Sequence, residues 1–171
     1  MPSDFAEWES GPQAARGLFA AYPSGVVTFG AVIDGVDVLM LASSFTVGVS
    51  YDPPMCSVAI QKSSTTWPTL ARAPRLGVSA LSSAHAGSVR RLGSRDPRNR
   101  TADVSLARSP GGAVFLEDAT AWFECVPVRE LDAGDHTVVL LEVVGGSNAG
   151  TTTPLILHRG VVHATAEIVL D

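Results

Sequence analysis

One stretch of the chain, Lys62-Ser63-Ser64-Thr65-Thr66, sets one cation and four hydroxyls beside the exposed amides of an expected helix start. That combination suits a phosphate dianion, because hydroxyl, amide and ammonium donors can all form charge-assisted hydrogen bonds to its oxygens. The same residues would also serve as a helix cap next to a solvated lysine. One hydroxyl is enough for a cap, however, and Lys62 is the only lysine in the chain. A second candidate is Ala42-Ser43-Ser44-Phe45, where small residues after a strand would let a flat ligand approach backbone amides while hydroxyls meet its polar edge. An ordinary loop is the alternative there.

His136 follows Gly134-Asp135 at the expected start of a strand. An imidazole in that place could orient a ligand or transfer a proton near neutral pH, or simply be a solvated turn residue. His85, His158 and His163 have neither helical i, i+4 pairing nor cysteine partners, so structural roles at exposed or half-buried positions are expected for them and no metal site. Residues 90–108 carry Arg90, Arg91, Arg95, Arg98, Arg100 and Arg108 against Asp96 and Asp103, six charges less two, a local +4. Such a loop is either solvated or suited to a second phosphorylated ligand or an acidic partner surface. There is no Gly-x-Ser-x-Gly elbow, no P-loop ending in Lys-Ser/Thr and no Gly-x-Gly-x-x-Gly, so any nucleotide is held another way.

The elements that must carry these residues are mostly strands. Apolar spacing from Trp8 to Tyr22 predicts a short helix over 13–21, ended by Pro23-Ser24-Gly25. Two apolar runs, 26–33 and 36–41, flank Asp34-Gly35, a strong two-residue hairpin signal. Asp52-Pro53-Pro54 forces an extended turn before a strand at 55–61, and Pro68 sits at a suitable first helical position. A strand at 75–81, a short helix at 84–92 and a long polar connection at 93–112 follow. The last third reads as strands at 113–116, 119–131, 137–144, 155–157 and 161–164, with a turn at 132–135 and a linker at 145–153. Seven or eight turn-connected strands with two or three short helices predict a mainly β barrel with peripheral helices.

At 171 residues, 46% hydrophobic and 17% charged, with mean hydropathy +0.23, the chain suits a single globular domain over 1–171. Twelve basic residues against 17 acidic give a net charge of −5, which argues against nucleic acid as a partner. Acidic residues near the start, and apolar runs too short for a membrane helix, predict neither export nor membrane insertion. Cys56 and Cys125 lie apart in apolar segments and read as small core residues of a reducing, cytoplasmic protein.

Together these residues resemble the flavin reductase family, small NAD(P)H:flavin oxidoreductases with an FMN-binding split β-barrel of Greek-key type. The resemblance begins at Tyr22-Pro23-Ser24-Gly25-Val26-Val27-Thr28 and continues through Ala42-Ser43-Ser44-Phe45-Thr46, Val49-Ser50-Tyr51-Asp52-Pro53-Pro54 and Lys62-Ser63-Ser64-Thr65. Phe123-Glu124-Cys125, Gly134-Asp135-His136, Pro154-Leu155 and Arg159-Gly160 extend it, so that it spans roughly residues 16 to 163. It implies a homodimer binding FMN or FAD near the subunit interface, with NADH or NADPH as electron donor. Ala42, Ser43, Ser44 and Phe45 would then line the isoalloxazine ring. Gln61, Lys62, Ser63, Ser64 and Thr65 would hold the ribityl phosphate, Arg100 would also contact the cofactor, and His136 would lie near the nicotinamide as the catalytic residue.

The sequence departs from the family pattern in places. Leu39-Met40-Leu41 replaces Gly-Met-Thr, the familiar Asp-Arg-Phe becomes Asn99-Arg100-Thr101, and Val161 and Val162 stand where an aromatic is usual. The run from Phe45 to Pro54 is one residue longer than usual, which predicts a bulge at Gly48. Three functions follow as expectations: a flavin reductase supplying reduced flavin to a partner monooxygenase, a flavin-binding barrel without reductase turnover, and an interaction module docking an acidic partner through its arginines.

Overall fold

A computed structural model describes residues 11–148 and 152–166. The acidic start of the chain and Trp8, used above for the first helix, lie outside these residues, as do 149–151 of the expected linker. The chain runs α1 (Pro12–Phe19), β1 (Ser24–Gly25), β2 (Val27–Ile33), β3 (Val36–Ala42), β4 (Thr46–Tyr51), β5 (Pro54–Gln61), α2 (Trp67–Leu70) and β6 (Leu76–Ala80). It continues with a 3-10 turn at Ser83–His85, α3 (Val89–Leu92), a second 3-10 turn at Pro97–Asn99, β7 (Leu106–Arg108) and β8 (Val114–Leu116). The remaining strands are β9 (Ala121–Ala133), β10 (His136–Asn148), β11 (Leu155–His158) and β12 (Val161–Ala164).

The mainly β expectation holds. Asp34 and Gly35 adopt left-handed backbone conformations, φ 51° and 80°, and Ile33 pairs with Val36 across them. This is the tight turn whose twist matches that of the flanking strands. A second two-residue turn, Gly134-Asp135, joins Ala133 to His136, so β9 and β10 run further toward each other than the four-residue turn expected at 132–135. Two other readings are corrected. Residues 145–148 are strand, pairing with 121–124, because a Gly-Gly-Ser run keeps its backbone hydrogen bonds even without a side-chain pattern. The unanticipated β4 is exposed along nearly its whole length, so it lacks the alternation that would have marked it. Its pairing with β5 shifts register between Thr46 and Ser50, with Gly48 at φ 74°, where the bulge was expected.

Seven strands form one antiparallel sheet in the order β3-β2-β6-β9-β10-β5-β4. Its two edge strands, β3 and β4, are consecutive in the chain and separated only by residues 43–45. Four residue steps reach at most about 14 Å, so the sheet must curl until its edges nearly meet. Inside the curl lie Phe29, Val58, Leu70, Leu76, Val78, Val139 and Leu141, all almost fully buried. Cys56 and Cys125 join them as core residues, their sulfurs 3.8 Å apart.

A second apolar layer, Val26, Leu39, Leu81, Leu92, Val114, Leu116 and Leu155, covers the outer face of β2 and β6. This is why Thr28, Gly30, Gly77 and Ser79 are buried on strands that would otherwise face water. Gly30 and Gly77 are paired across the two strands, and a Cβ on either would fall well inside contact with the Val114 carbonyl. The glycines therefore let β8 lie directly on the sheet. Ser79 Oγ beside them accepts from Leu116 N at 2.9 Å.

Gly77→Ala should cost about 2–3 kcal/mol, since the obstruction is backbone and cannot rotate away. Urea unfolding should show a lowered midpoint with an unchanged slope, and an unaltered midpoint would contradict the close packing.

Candidate functional site

A cavity of about 850 Å³ opens where the curled sheet almost closes. One side of it is the corner between β3 and β4. Ala42, Ser43 and Ser44 line the cavity, and Ser44 Oγ donates to Ala59 O on β5 at 2.7 Å, fastening the corner across the gap. Phe45 points the other way. Its ring packs at 5.8 Å centroid distances against Phe29 and Phe123, so it anchors the corner from the core and does not reach the cavity wall.

The second side is the turn after β5. Gln61, Ser63, Ser64, Thr65 and Thr66 all line the cavity. Thr66, the N-cap residue of α2, makes no side-chain capping bond; instead Ser64 Oγ accepts from Trp67 N, the first residue of the helix, at 3.1 Å, so one hydroxyl serves the helix start. The buried Trp67 fixes this helix, its indole N–H reaching Glu130 at 3.0 Å. Lys62 N donates to Asp135 O and Ser64 N to Gln61 O, which shape the turn. The hydroxyls of Ser63 and Thr65 and the backbone N–H groups of Ser63, Thr65 and Thr66 have no partner among the described residues. They form a set of donors next to open space, suited to anion oxygens.

Lys62 itself is not in the wall. Its side chain is half exposed and ion-paired with Asp132 on β9. The cations that do line the cavity are Arg95 and Arg100, from the connection between β6 and β8. Arg100 is buried: Nε donates to Ser94 O at 2.7 Å, and Nη1 to Leu39 O at 2.9 Å and Thr66 Oγ1 at 2.8 Å. One side chain thus ties the long connection to an edge strand and to the anion-suited turn. Burial pulls its pKa below the usual arginine value, opposed by Asp96, and the guanidinium stays charged. Its second terminal nitrogen has no hydrogen-bond partner among the described residues.

His136 completes the polar part of the wall, opposite Gln61 in the β5–β10 ladder. Its Nδ1 meets Asp135 Oδ1 at 2.7 Å, and this contact holds the Asp135 carboxyl below the usual carboxylate range. With Nδ1 engaged, the ring has Nε2 for a ligand. The apolar wall comprises Val26, Met40, Leu41, Ala59, Ile60, Val89, Leu157 and Val162. Sequence reasoning flagged Met40, Leu41 and Val162 only as departures from a family pattern. It missed the others because they come from four separate segments that only the fold brings together.

The remaining histidines have other work or none shown. His85 is buried, unlike the exposed or half-buried position expected, with Nδ1 accepting from Ser82 N at 3.1 Å and Nε2 facing Glu117 O at 2.8 Å. Among the described residues no group of His, Cys, Asp and Glu is placed to hold a metal ion.

Comparison with known proteins bears on this cavity. A family model described as a flavin reductase like domain matches residues 19–166. A flavin reductase from Pseudomonas putida is 31% identical over 150 residues, covering 87% of each chain. The stachydrine N-demethylase reductase subunit of Rhizobium meliloti is 33% identical over 140 residues, covering 81% of this chain and 60% of that protein, less than two thirds of its length. The Streptomyces globisporus NADH:FAD oxidoreductase, solved in complex with NAD and FAD fragments, superposes with a TM-score of 0.83 at 25% identity, covering 94% of this chain and 98% of that one.

Replacing Arg100 by Met should remove three hydrogen bonds and leave the Leu39 carbonyl and Thr66 hydroxyl buried without a donor. The expected loss is about 3 kcal/mol in denaturant unfolding. A loss below about 0.5 kcal/mol would show that the arginine does not hold the cavity together.

Proposed function

The chain belongs to the flavin reductase-like family, and from that premise we propose that it uses NADH or NADPH to reduce free FMN or FAD, passing the reduced flavin to a partner monooxygenase. The single observation that carries the reading to this cavity is its pairing of an apolar wall with a cluster of unpartnered donors at 63–66 beside Arg95 and Arg100. A flavin needs both, and the volume lies in the range of small-molecule sites.

When bound, the flavin supplies a two-electron acceptor at N5, the nicotinamide supplies hydride from C4, and solvent supplies the proton that completes reduced flavin. The chain's own residues bind and orient. Ala42 and Ser43 let the ring approach the backbone at the β3–β4 corner, and Met40, Leu41 and Ile60 cover it. Ser63, Thr65 and the free amides take the phosphate, with Arg100 and Arg95 replacing Lys62 as the countercharge. His136, its ring held by Asp135, would present Nε2 to the nicotinamide. No nucleophile is required, in keeping with the absence of the nucleophile and phosphate-loop motifs from the sequence.

Val162 in the wall supports the second reading, a flavin-binding barrel without turnover, because a small aliphatic stands where the family usually places an aromatic. We also read the chain as one domain acting as a homodimer in the cytoplasm. The exposed apolar side chains of Val47, Val49 and Tyr51 along β4 support pairing with a second copy. Among the described residues no helix is long and apolar enough to cross a membrane.

The test is flavin-dependent loss of NADH or NADPH absorbance, with FMN and FAD each in excess. Flavin-dependent oxidation supports the reductase. Retained flavin with oxidation no faster than the protein-free rate would replace it with the second reading. Ser63→Ala combined with Thr65→Ala should weaken FMN binding about tenfold or more, as expected for lost charge-assisted contacts. His136→Ala should slow hydride transfer more than it weakens flavin binding, whereas wild-type values of both would remove the histidine from the mechanism.

A further inference from the structure

The arginines between β6 and β8 do not act as one basic patch. Arg98 pairs with Asp96, Arg91 with Asp103 and Arg108 with Asp37, while Arg100 is buried at the main cavity. Arg90 and Arg95 have no ion-pair partner among the described residues. Arg95 lines the main cavity, whereas Arg90 lines a second one of about 570 Å³, together with Gly87, Arg91, Ser94, Asn99 and Ala102.

We propose that this second cavity is a separate binding site for a phosphate group. Arg90 and Arg91 both line it and no carboxylate does, the Arg91 guanidinium now lying on Asp103 and Ser88. Asp103, the one carboxylate on Arg91, is itself 80% exposed, so the pair is weak and readily exchanged for a better anion. Arg91 also leaves Nε buried without a partner, a loss that turning the guanidinium toward an anion would remove. The Asn99 side chain adds an amide with no partner among the described residues, and Gly87 also lines the cavity, where a Cβ would meet nothing within 4 Å. Phosphate is the anion that fits, because two guanidinium forks and an amide supply more donors than one carboxylate accepts.

The two cavities share a wall. Val89, Arg95 and Arg100 face the first, while Arg90, Arg91, Ser94 and Asn99 of the same segment face the second. A phosphate seated in the second therefore steadies the segment that supplies cations to the first. Three sources share this chemistry: the adenylate half of FAD, the 2′-phosphate of NADPH, and free phosphate. The choice among the first two rests on the reductase reading. Phosphate binding as such does not.

The experiment is calorimetric titration of the full chain and of two variants, Arg90→Ala with Arg91→Ala, and Gly87→Leu, with FMN, FAD, NADH, NADPH and inorganic pyrophosphate. The first variant removes the charge, and the second fills the space with the charge intact, so each checks the other against misfolding. Both should lose about tenfold or more in affinity for at least one of FAD, NADPH or pyrophosphate, with FMN and NADH unchanged. Selective loss of FAD assigns the adenylate phosphate, selective loss of NADPH the 2′-phosphate, and loss of pyrophosphate alone a free anion. Unchanged affinity for all five ligands, or an equal fall for FMN and FAD, overturns the site. If the wild-type chain binds no flavin, the reductase reading fails while the pyrophosphate titration still decides this one.

Discussion

The shortness of one connection governs this molecule. Because only residues 43–45 separate the two edge strands of a seven-stranded sheet, the sheet cannot stay open. Curling encloses the core on one side and leaves a cleft where β3 and β4 fail to pair. That cleft is the cavity, and its corner is built from alanine and serine because larger residues would fill it. Phe45 explains how so small a corner stays in place. Its ring is driven into the core between Phe29 and Phe123, and Ser44 is fastened to β5.

The other wall depends on a second close approach. Gly30 and Gly77 remove the side chains that would hold β8 off the sheet, so the connection from β6 doubles back over β2 and β3. Arg100 then reaches Leu39 and Thr66 from that connection. Its charge is affordable in a buried place because backbone and hydroxyl oxygens accept from it at three points. Backbone packing at two glycines and the electrostatics of the cavity are thus parts of one arrangement: without the first, the cation would not lie beside the donor-rich turn.

The flavin reductase family takes its chemistry from its cofactors, and this chain follows that division of labour. Among the described residues the cavity wall holds no cysteine, and its serines and threonines have no histidine hydrogen-bonded to them. It offers donors aimed into open space, a carboxylate-oriented imidazole and an apolar face. The dense arginine loop is divided by the fold into paired, buried and uncommitted members, which is why a local +4 produces two confined basic places instead of a broad charged surface.

Much of this was legible in the sequence. Asp34-Gly35 determined a hairpin because few residue pairs accept two left-handed conformations, and the apolar runs determined most strands because burial on a pleated face imposes its own spacing. The hydroxyl row after β5 pointed to anion-suited chemistry, and the fold leaves several of its donors without a partner among the described residues. Local chemistry could not say where long side chains point. Lys62 and Arg100 are both cations near the same turn, yet one turns outward to Asp132 and the other is drawn into the wall. Phe45 sits in the right corner and faces the wrong way for a ligand, because the core behind it offered more apolar contact. Strands such as β4 and the end of β10 carry too little side-chain pattern to be read, since their order comes from backbone pairing with partners far along the chain. The sequence by itself determined the local turns, the strand periodicity and the kind of chemistry. The tertiary structure alone decided which cations line the cavity, because that depends on contacts between segments that sequence spacing does not relate.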